Sequence, residues 1–297
     1  MSSKTVAILS PGDMGHAVGR ALKAGGHEVV TSLAGRSAHS RRLAEKGGLR
    51  DLGSLEAVVG AADVVLSILP PEAAPGLADA VAGAMRRTDA RPVYVDCNAV
   101  APETMRGIAR SIEAAGAPVL DAGIIGRAPG HGVPTRFYVS GADVSPLQAL
   151  AREDILVKAL GPEIGRASAM KMVYAANTKG TFTLQTAVLI AARQLGLDRE
   201  LAEELQFSQK ETYARMQAVV PRIPADAGRW IGEMEEIQKT FEAAGVTPGF
   251  HQGAAWIFRL LAQTPFASET RETLDTGRTL EQSVAVYAET LKAANDS

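Results

Sequence analysis

The run Ser10-Pro11-Gly12-Asp13-Met14-Gly15 follows a short apolar stretch, Val6-Ala7-Ile8-Leu9, and precedes Met14, Val18, Ala21 and Leu22 at helical spacing. A strand turning tightly into a helix presents unpaired amides and the positive end of the helix dipole, which suit the pyrophosphate of a dinucleotide. The usual pattern is Gly-x-Gly-x-x-Gly. Here Gly12 allows backbone approach to the pyrophosphate and Gly15 allows close helix–strand packing, while Pro11, Asp13 and Met14 complete the turn. Ser10 replaces the first glycine, which predicts a less demanding turn at that position, and Asp13 adds a negative charge near the phosphates. The alternative is a plain structural turn. The strand before, the helix after and the similar units that follow favour dinucleotide binding.

Cofactor choice is made about 20 residues further on, at the end of the second strand. An NAD enzyme carries Asp or Glu there for the ribose hydroxyls. This chain has Leu33-Ala34-Gly35-Arg36-Ser37 and then Arg41 and Arg42, with no acid at the strand end. Arg36 can pair bidentately with a 2′-phosphate and Ser37 can donate to it. Arg41 joins them as a candidate, although at least one of Arg41 and Arg42 reads as a solvated helix face. NADP(H) is the expected cofactor, with NAD(H) as the alternative.

The elements that must position these residues alternate. Strand patterns at 28–33, 63–69, 92–96, 118–121, 136–140 and 155–157 are interleaved with helical ones at 38–45 and 103–115. Such alternation predicts an α/β fold, a Rossmann-type doubly wound, mainly parallel sheet. After Gly161 the texture changes. Residues 165–197 read as one long helix, and helical stretches follow at 199–219, 227–244, 253–262 and 280–295, punctuated by Pro221, Pro224, Pro248 and Pro265. The expected organisation is a cofactor domain over 1–161 and an all-α domain over 162–297 for substrate and dimerisation, beginning with a long interdomain helix.

Composition narrows the classes. The 297 residues are 46% hydrophobic and 22% charged, as in soluble globular proteins. A net charge of −2 and 5% aromatics argue against nucleic-acid binding. A single cysteine, Cys97, excludes an intrachain disulfide framework, and no His or carboxylate cluster at metal spacing is evident, so no metal is expected. With neither a signal-peptide pattern nor an 18-residue apolar span, the expectation is a cytoplasmic protein without membrane contact.

Several segments in order resemble the β-hydroxyacid dehydrogenase superfamily of 3-hydroxyisobutyrate and 6-phosphogluconate dehydrogenases. Ser10 to Gly15 is similar to its GxGxMG turn, Met14 included, and Gly35-Arg36-Ser37 to the Asn-Arg-Ser/Thr segment of its NADP-binding members. Leu69-Pro70-Pro71 fits the end of its fourth strand. Asp96-Cys97-Asn98-Ala99 with Pro102 resembles its Asp-x-Ser-Thr-x-x-Pro loop beside the nicotinamide ribose. Leu69, Pro70 and Asn98 are therefore implied cofactor neighbours. Asp121-Ala122-Gly123-Ile124-Ile125-Gly126 resembles its substrate loop, Asp-Ala-Pro-Val-Ser-Gly-Gly, so Gly123, Ile124, Ile125, Gly126 and Arg127 are implied to bind substrate. Ile125 stands where the family has Ser and Arg127 where it has the second Gly; Arg127 reads either as a carboxylate or phosphate partner or as a solvated loop residue. The C-terminal half is closer to an uncharacterised branch related to the 6-phosphogluconate dehydrogenase C-terminal domain.

The segment from Gly165 to Lys171 resembles the family's Gly-x-x-x-x-x-Lys, whose lysine is the catalytic acid/base. Hydride transfer needs a group that takes the alcohol proton, or returns it to the developing alkoxide, with a pKa brought towards neutrality. Met170, Met172 and Val173 flank Lys171, and burial lowers the pKa of an amine. Ser168, Tyr174, Ala175 and Thr178 share its helix face. By spacing alone Lys171 reads first as a surface lysine on an amphipathic helix; the resemblance reverses this and implies the acid/base. Tyr174 and Ala175 replace the family's two Asn, so Tyr174 is the candidate to orient the lysine or share its proton. His131 and His251 read either as pocket residues or as a solvated loop residue and a structural histidine, and Cys97 as a small buried filler.

The expected activity is an NADP-preferring dehydrogenase or reductase acting on a small hydroxy or oxo acid, working as a homodimer through the α-domain. The alternatives are an imine reductase on the same fold and a non-catalytic NADP-binding sensor.

Overall fold

The computed structural model describes residues 3–270 and 273–295. Strand and helix alternate from the start: β1 (Thr5–Leu9), α1 (Asp13–Ala24), β2 (Glu28–Thr31), α2 (Ala38–Gly47), β3 (Arg50–Asp51), α3 (Leu55–Ala61), β4 (Val64–Ser67), α4 (Ala74–Thr88), β5 (Val93–Asp96), α5 (Pro102–Glu113), β6 (Val119–Ile125), β7 (Thr135–Ser140), α6 (Ser145–Gln148) and β8 (Ile155–Ala159). They build one eight-stranded sheet of order β3-β2-β1-β4-β5-β6-β7-β8. All neighbours are parallel except β6 and β7, which pair antiparallel with Ile125 opposite Arg136. The order reverses between β1 and β4, and in such sheets ligands sit beyond the carboxyl ends of the strands at that point.

The continuous apolar run of β1 follows from its place in the sheet. Val6 and Ile8 pack on one face with Val18, Leu22 and Phe137; Ala7 and Leu9 pack on the other with Val58, Met85 and Met105. Strands covered on both faces lose the polar alternation of a half-buried strand.

The helical segments are α7 (Arg166–Gln194), α8 (Asp198–Ser208), α9 (Lys210–Val219), α10 (Pro224–Ala243), α11 (Gly249–Leu261) and α12 (Leu280–Asn295). The chain forms two compact units that divide within α7, between Met172 and Val173, whereas the change of texture in the sequence lies before that helix, near Gly161. In the second unit Tyr287 and Phe258 are buried, Trp230 meets Phe258 edge to face at 5.4 Å, and Lys179 forms a part-buried ion pair with Glu233.

Several elements differ from the sequence expectation. The strand expected to end at Asp121 runs on to Ile125, so Gly123, Ile124 and Ile125 are strand residues rather than a loop. The helical stretch 199–219 is broken at Gln209, whose φ of −138° and ψ of 46° lie outside the helical region and separate α8 from α9 without a Gly or Pro to announce it. The helix expected from Gly253 begins at Gly249, directly after Pro248, which places His251 in its first turn.

Candidate active site

The turn after β1 keeps the backbone that the glycine pattern demands. Ser10 has a φ of +69°, in the left-handed region, so the turn there is no less demanding than with glycine, contrary to the sequence expectation. The tight return is closed by the Gly12 amide donating to the Ser10 carbonyl at 2.8 Å. Gly12 is the cap residue of α1, and a Cβ there would meet nothing within 4 Å. At Gly15 a Cβ would lie 2.9 Å from the Ser10 oxygen and 3.2 Å from Ile8 Cγ2, so glycine is what lets α1 rest on β1.

The end of β2 is held from two sides. The Leu33 amide donates to Asp51 Oδ1 at 3.0 Å, and the Arg41 guanidinium donates to the Leu33 carbonyl at 2.7 Å and to the Arg36 carbonyl at 3.3 Å. The backbone amides of Gly53 and Leu33, with Arg41 beside them, hold the Asp51 carboxyl below the usual range. Arg41 thus braces the loop that carries Arg36. Ser37 caps α2, its hydroxyl accepting from the Ser40 amide at 3.2 Å. Asp51 lies in a two-residue strand that the apolar pattern did not announce; its pairing with Thr31 brings it here.

Asn98 ties the turns after β4 and β5 together. Its Oδ1 accepts from the Leu69 amide at 2.7 Å, and its Nδ2 donates to Ser67 Oγ and to Asp96 Oδ2 at 2.9 and 2.8 Å. The side chain is buried and engaged within this network, so it shapes the strand ends, while Pro70 beyond it is exposed. Burial pushes the Asp96 carboxyl up to about 7, against the hydrogen bonds from Asn98 that favour its ionised form. Burial also pushes the Cys97 thiol up, which fits a filler and not a nucleophile.

Lys171 reaches β6. Its Nζ donates to the Ile124 carbonyl at 2.8 Å. The approach is close because position 123 is glycine: a Cβ there would stand 2.8 Å from the Ala167 oxygen and 2.9 Å from Lys171 Cβ. Met172 is fully buried but Val173 is 49% exposed, so the apolar neighbours do not enclose the lysine as expected. Tyr174 is three residues further along the same helix, in the second compact unit, and is 41% exposed.

Sequence reasoning missed Asp121 as an organising group. It is fully buried in β6, and its carboxylate accepts from the Gly165, Ala167 and Ser168 amides at the start of α7 and from the Ser140 and Ser168 hydroxyls. Burial raises its pKa while these bonds oppose the rise. An acid inside the run Val119 to Ile125 was the available signal, because a buried carboxylate demands donors. Arg136 was missed too; its guanidinium lies beside Gly126, 3.2 Å from where a Cβ would stand, and Gly126 itself has a φ of +112°. Arg127 and His131 are exposed on the loop that follows, and the Arg127 carbonyl accepts from Thr135 Oγ1 at 2.6 Å.

In the second unit, α7 and α11 flank an apolar groove of about 770 Å³ lined by Val173, Gly180, Leu184, Phe250, His251 and Trp256. His251 is buried against Phe241, at a ring distance of 4.4 Å, and burial lowers its pKa. Among the described residues, no helix is long and apolar enough to cross a membrane.

The residues present fit a dinucleotide. Open backbone at Gly12 and Gly35 and a glycine-capped helix start follow the carboxyl ends of β1 and β2, and Arg36 and Ser37 lie on the loop that leads from β2 into α2.

Comparison with known proteins agrees with this arrangement. The NAD binding domain of 6-phosphogluconate dehydrogenase matches residues 5–149, and a domain of unknown function matches residues 192–261. A solved conserved protein of unknown function, described as structurally similar to 3-hydroxyacid dehydrogenases, is 31% identical over 86% of this chain and 96% of its own, with a TM-score of 0.64. The 3-hydroxyisobutyrate dehydrogenase of Pseudomonas aeruginosa is 30% identical over 54% of this chain and 52% of its own length. The Mycobacterium tuberculosis 3-hydroxyisobutyrate dehydrogenase solved with L-serine shares the fold at 20% identity and a TM-score of 0.67, covering 98% of this chain and all of that one. An imine reductase from Myxococcus stipitatus, in complex with NAD+, shares the fold at 16% identity and a TM-score of 0.55, covering 92% of this chain and 98% of that one. The chain belongs to the β-hydroxyacid dehydrogenase superfamily, as a divergent branch that joins its NAD-binding domain to a helical region of unknown function.

Proposed function

We propose that this chain is an NADP-preferring oxidoreductase that interconverts a small hydroxy acid and its oxo acid, with Lys171 as the general acid/base. The observation that carries the proposal is the Lys171 ammonium on the Ile124 carbonyl, at the carboxyl end of the sheet where the glycine-rich turn also lies. When bound, the nicotinamide supplies or accepts the hydride. Gly12 and the first turn of α1 hold the pyrophosphate, Arg36 and Ser37 take the 2′-phosphate, and Arg41 braces the loop that presents them. Leu69, Pro70 and the Asn98 network set the wall on the nicotinamide side. Lys171 gives its Nζ proton to the substrate oxygen during reduction and takes it back during oxidation. Gly123 to Gly126 supply the backbone next to the reacting carbon, and Arg127 or Arg136 is the partner for a substrate carboxylate.

A second reading, imine reduction, is favoured by Tyr174 at the position where the family has Asn: a phenol can deliver a proton to an imine nitrogen. Turnover of a panel holding 3-hydroxyisobutyrate, L-serine, related hydroxy acids and cyclic imines with NADP(H) separates the two. Tight NADPH binding with no turnover across the panel supports a sensor instead.

The partner we propose is a second copy of the chain. Leu184 and Val188 on α7 and Phe250 and Trp256 on α11 are 65%, 41%, 76% and 50% exposed, an apolar surface that suits a homodimer interface in the helical unit.

A further inference from the structure

We propose that Asp121 is a positioning residue for Lys171: its carboxylate pins the first turn of α7 to β6, and so sets where the lysine ammonium meets the Ile124 carbonyl. The proposal deepens the reading of Lys171 as the acid/base and rests on it.

The geometry begins with an unusual cap. Helix starts leave amides without intrahelical partners, and a side chain just ahead of the helix commonly satisfies them. At α7 the cap comes from the sheet. Asp121 Oδ2 accepts from the Gly165 and Ala167 amides at 2.8 and 3.0 Å. Asp121 Oδ1 accepts from the Ser168 amide and hydroxyl at 3.1 and 2.7 Å. Ser140 Oγ on the neighbouring strand donates to Oδ2 at 3.1 Å. Asp121 is 0% and Ser168 1% exposed, so water does not compete for these bonds. A local cap leaves a helix able to slide or turn on its sheet. A carboxylate that is itself part of β6 fixes both the height and the rotation of α7 against that strand, and its charge matches the positive end of the helix dipole.

The clamp is transmitted over one turn. Lys171 is three residues beyond Ser168, about 4.5 Å along the axis and on the same face. Along β6, Gly123 follows Asp121 by two residues and so points to the same side. There a Cβ would strike the Ala167 oxygen and Lys171 Cβ, so strand and helix already touch. One residue on, the Ile124 carbonyl receives Lys171 Nζ at 2.8 Å. Asp121, Gly123 and Ile124 thus meet Ser168, Ala167 and Lys171 as three successive contacts between one strand and one helix. Loss of the first contact frees the helix start, and a misplacement of about 1 Å in an acid/base group is enough to lower turnover strongly.

The test follows the lysine directly and needs no substrate. Reductive ¹³C-methylation gives each lysine its own NMR signal, and Lys171→Arg assigns that of Lys171. Asp121→Asn keeps the shape but turns one acceptor into a donor facing amides; Ser168→Ala removes a single hydroxyl bond and keeps the fold testable if the first variant is poorly stable. We expect the Lys171 signal to shift and its titration midpoint to move by about 0.5 pH units or more in Asp121→Asn, and by less in Ser168→Ala. Lys158 and Lys179 signals should stay in place, and the NADPH Kd should stay within about twofold of wild type, because no contact to the dinucleotide changes. An unmoved Lys171 signal in both variants overturns the proposal. Failure of the acid/base reading has a separate signature, full turnover by Lys171→Ala on the substrate panel, which leaves the NMR result intact.

Discussion

The Leu69 amide donates to Asn98 Oδ1 at 2.7 Å, so the turns that leave β4 and β5 are joined by one carboxamide. The same side chain holds Asp96 through its Nδ2, and Asp96 lies in register with Asp121 on β6. The ends of β4 and β5 are therefore tied by one buried polar network, with the buried Asp121 of β6 beside it.

That network gives a pH dependence. The Asp96 carboxyl is raised to about 7 by burial, with Asp121 adding repulsion against its charge and Asn98 opposing both. Ser67, Tyr94, Cys97 and Asn98 are its other close neighbours. A folded-state pKa above the unfolded value means that the folded chain holds the extra proton. The contribution of Asp96 to stability is then full below about pH 4 and falls, by at most about 1.4 kcal/mol per pH unit, as pH rises towards 7. Asp96→Asn removes this loss but sets an amide against the Asn98 amide, at a pH-independent cost of about 1–3 kcal/mol. The Tm advantage of wild type over Asp96→Asn should shrink between pH 5 and pH 8 by differential scanning fluorimetry. A constant or widening gap contradicts this assignment.

Gly123→Ala tests the approach of α7 to β6. The new Cβ would meet the Ala167 carbonyl oxygen and Lys171 Cβ at 2.8 and 2.9 Å, neither of them a flexible side-chain end. Overpacking of this kind costs about 1–3 kcal/mol. A lower denaturation midpoint, with turnover reduced more than the NADPH affinity, is the expected result. Wild-type stability and turnover would mean that the two elements are not held this close.

Cofactor choice should respond to Arg36. Its guanidinium and the Ser37 hydroxyl carry the proposed 2′-phosphate site, and Asp51 is kept occupied by the Leu33 and Gly53 amides. Arg36→Ala should raise the NADPH Kd by about tenfold, the value of one charge-assisted contact, and change the NADH Kd by less than about twofold. Isothermal titration with each cofactor decides it; equal losses for both contradict the NADP preference.

The exposed apolar surface of α7 and α11 predicts a dimer at micromolar concentration by light scattering. Leu184→Glu and Trp256→Glu, at side chains that are 65% and 50% exposed, should yield monomers whose fold is unchanged by circular dichroism. A wild-type monomer contradicts the homodimer.

How much of this was legible in the sequence follows from where each constraint resides. The turn from Ser10 to Gly15 could be read because glycine chemistry is local, yet the positive φ of Ser10 could not, since serine rarely adopts it without a surrounding structure that demands it. The end of β6 was misplaced because an acid in an apolar run looks like a stop; only the start of α7, more than 40 residues away in sequence, supplies the donors that let Asp121 stay buried mid-strand. Asp51 and Arg136 reach the strand ends through sheet pairing, which spacing along one strand does not encode. Lys171 was legible by resemblance, but the contact that orients it comes from the close packing that Gly123 permits.

The central claim is that the Lys171 ammonium, held on the Ile124 carbonyl, carries the proton of the reaction. The direct measurement is kcat for Lys171→Ala beside its NADPH Kd, on whichever panel substrate the wild type turns over fastest. We predict a fall in kcat of about 10²–10⁴-fold, the range for a lost acid/base group, with the NADPH Kd within about twofold of wild type. Turnover by Lys171→Ala within about twofold of wild type would contradict it.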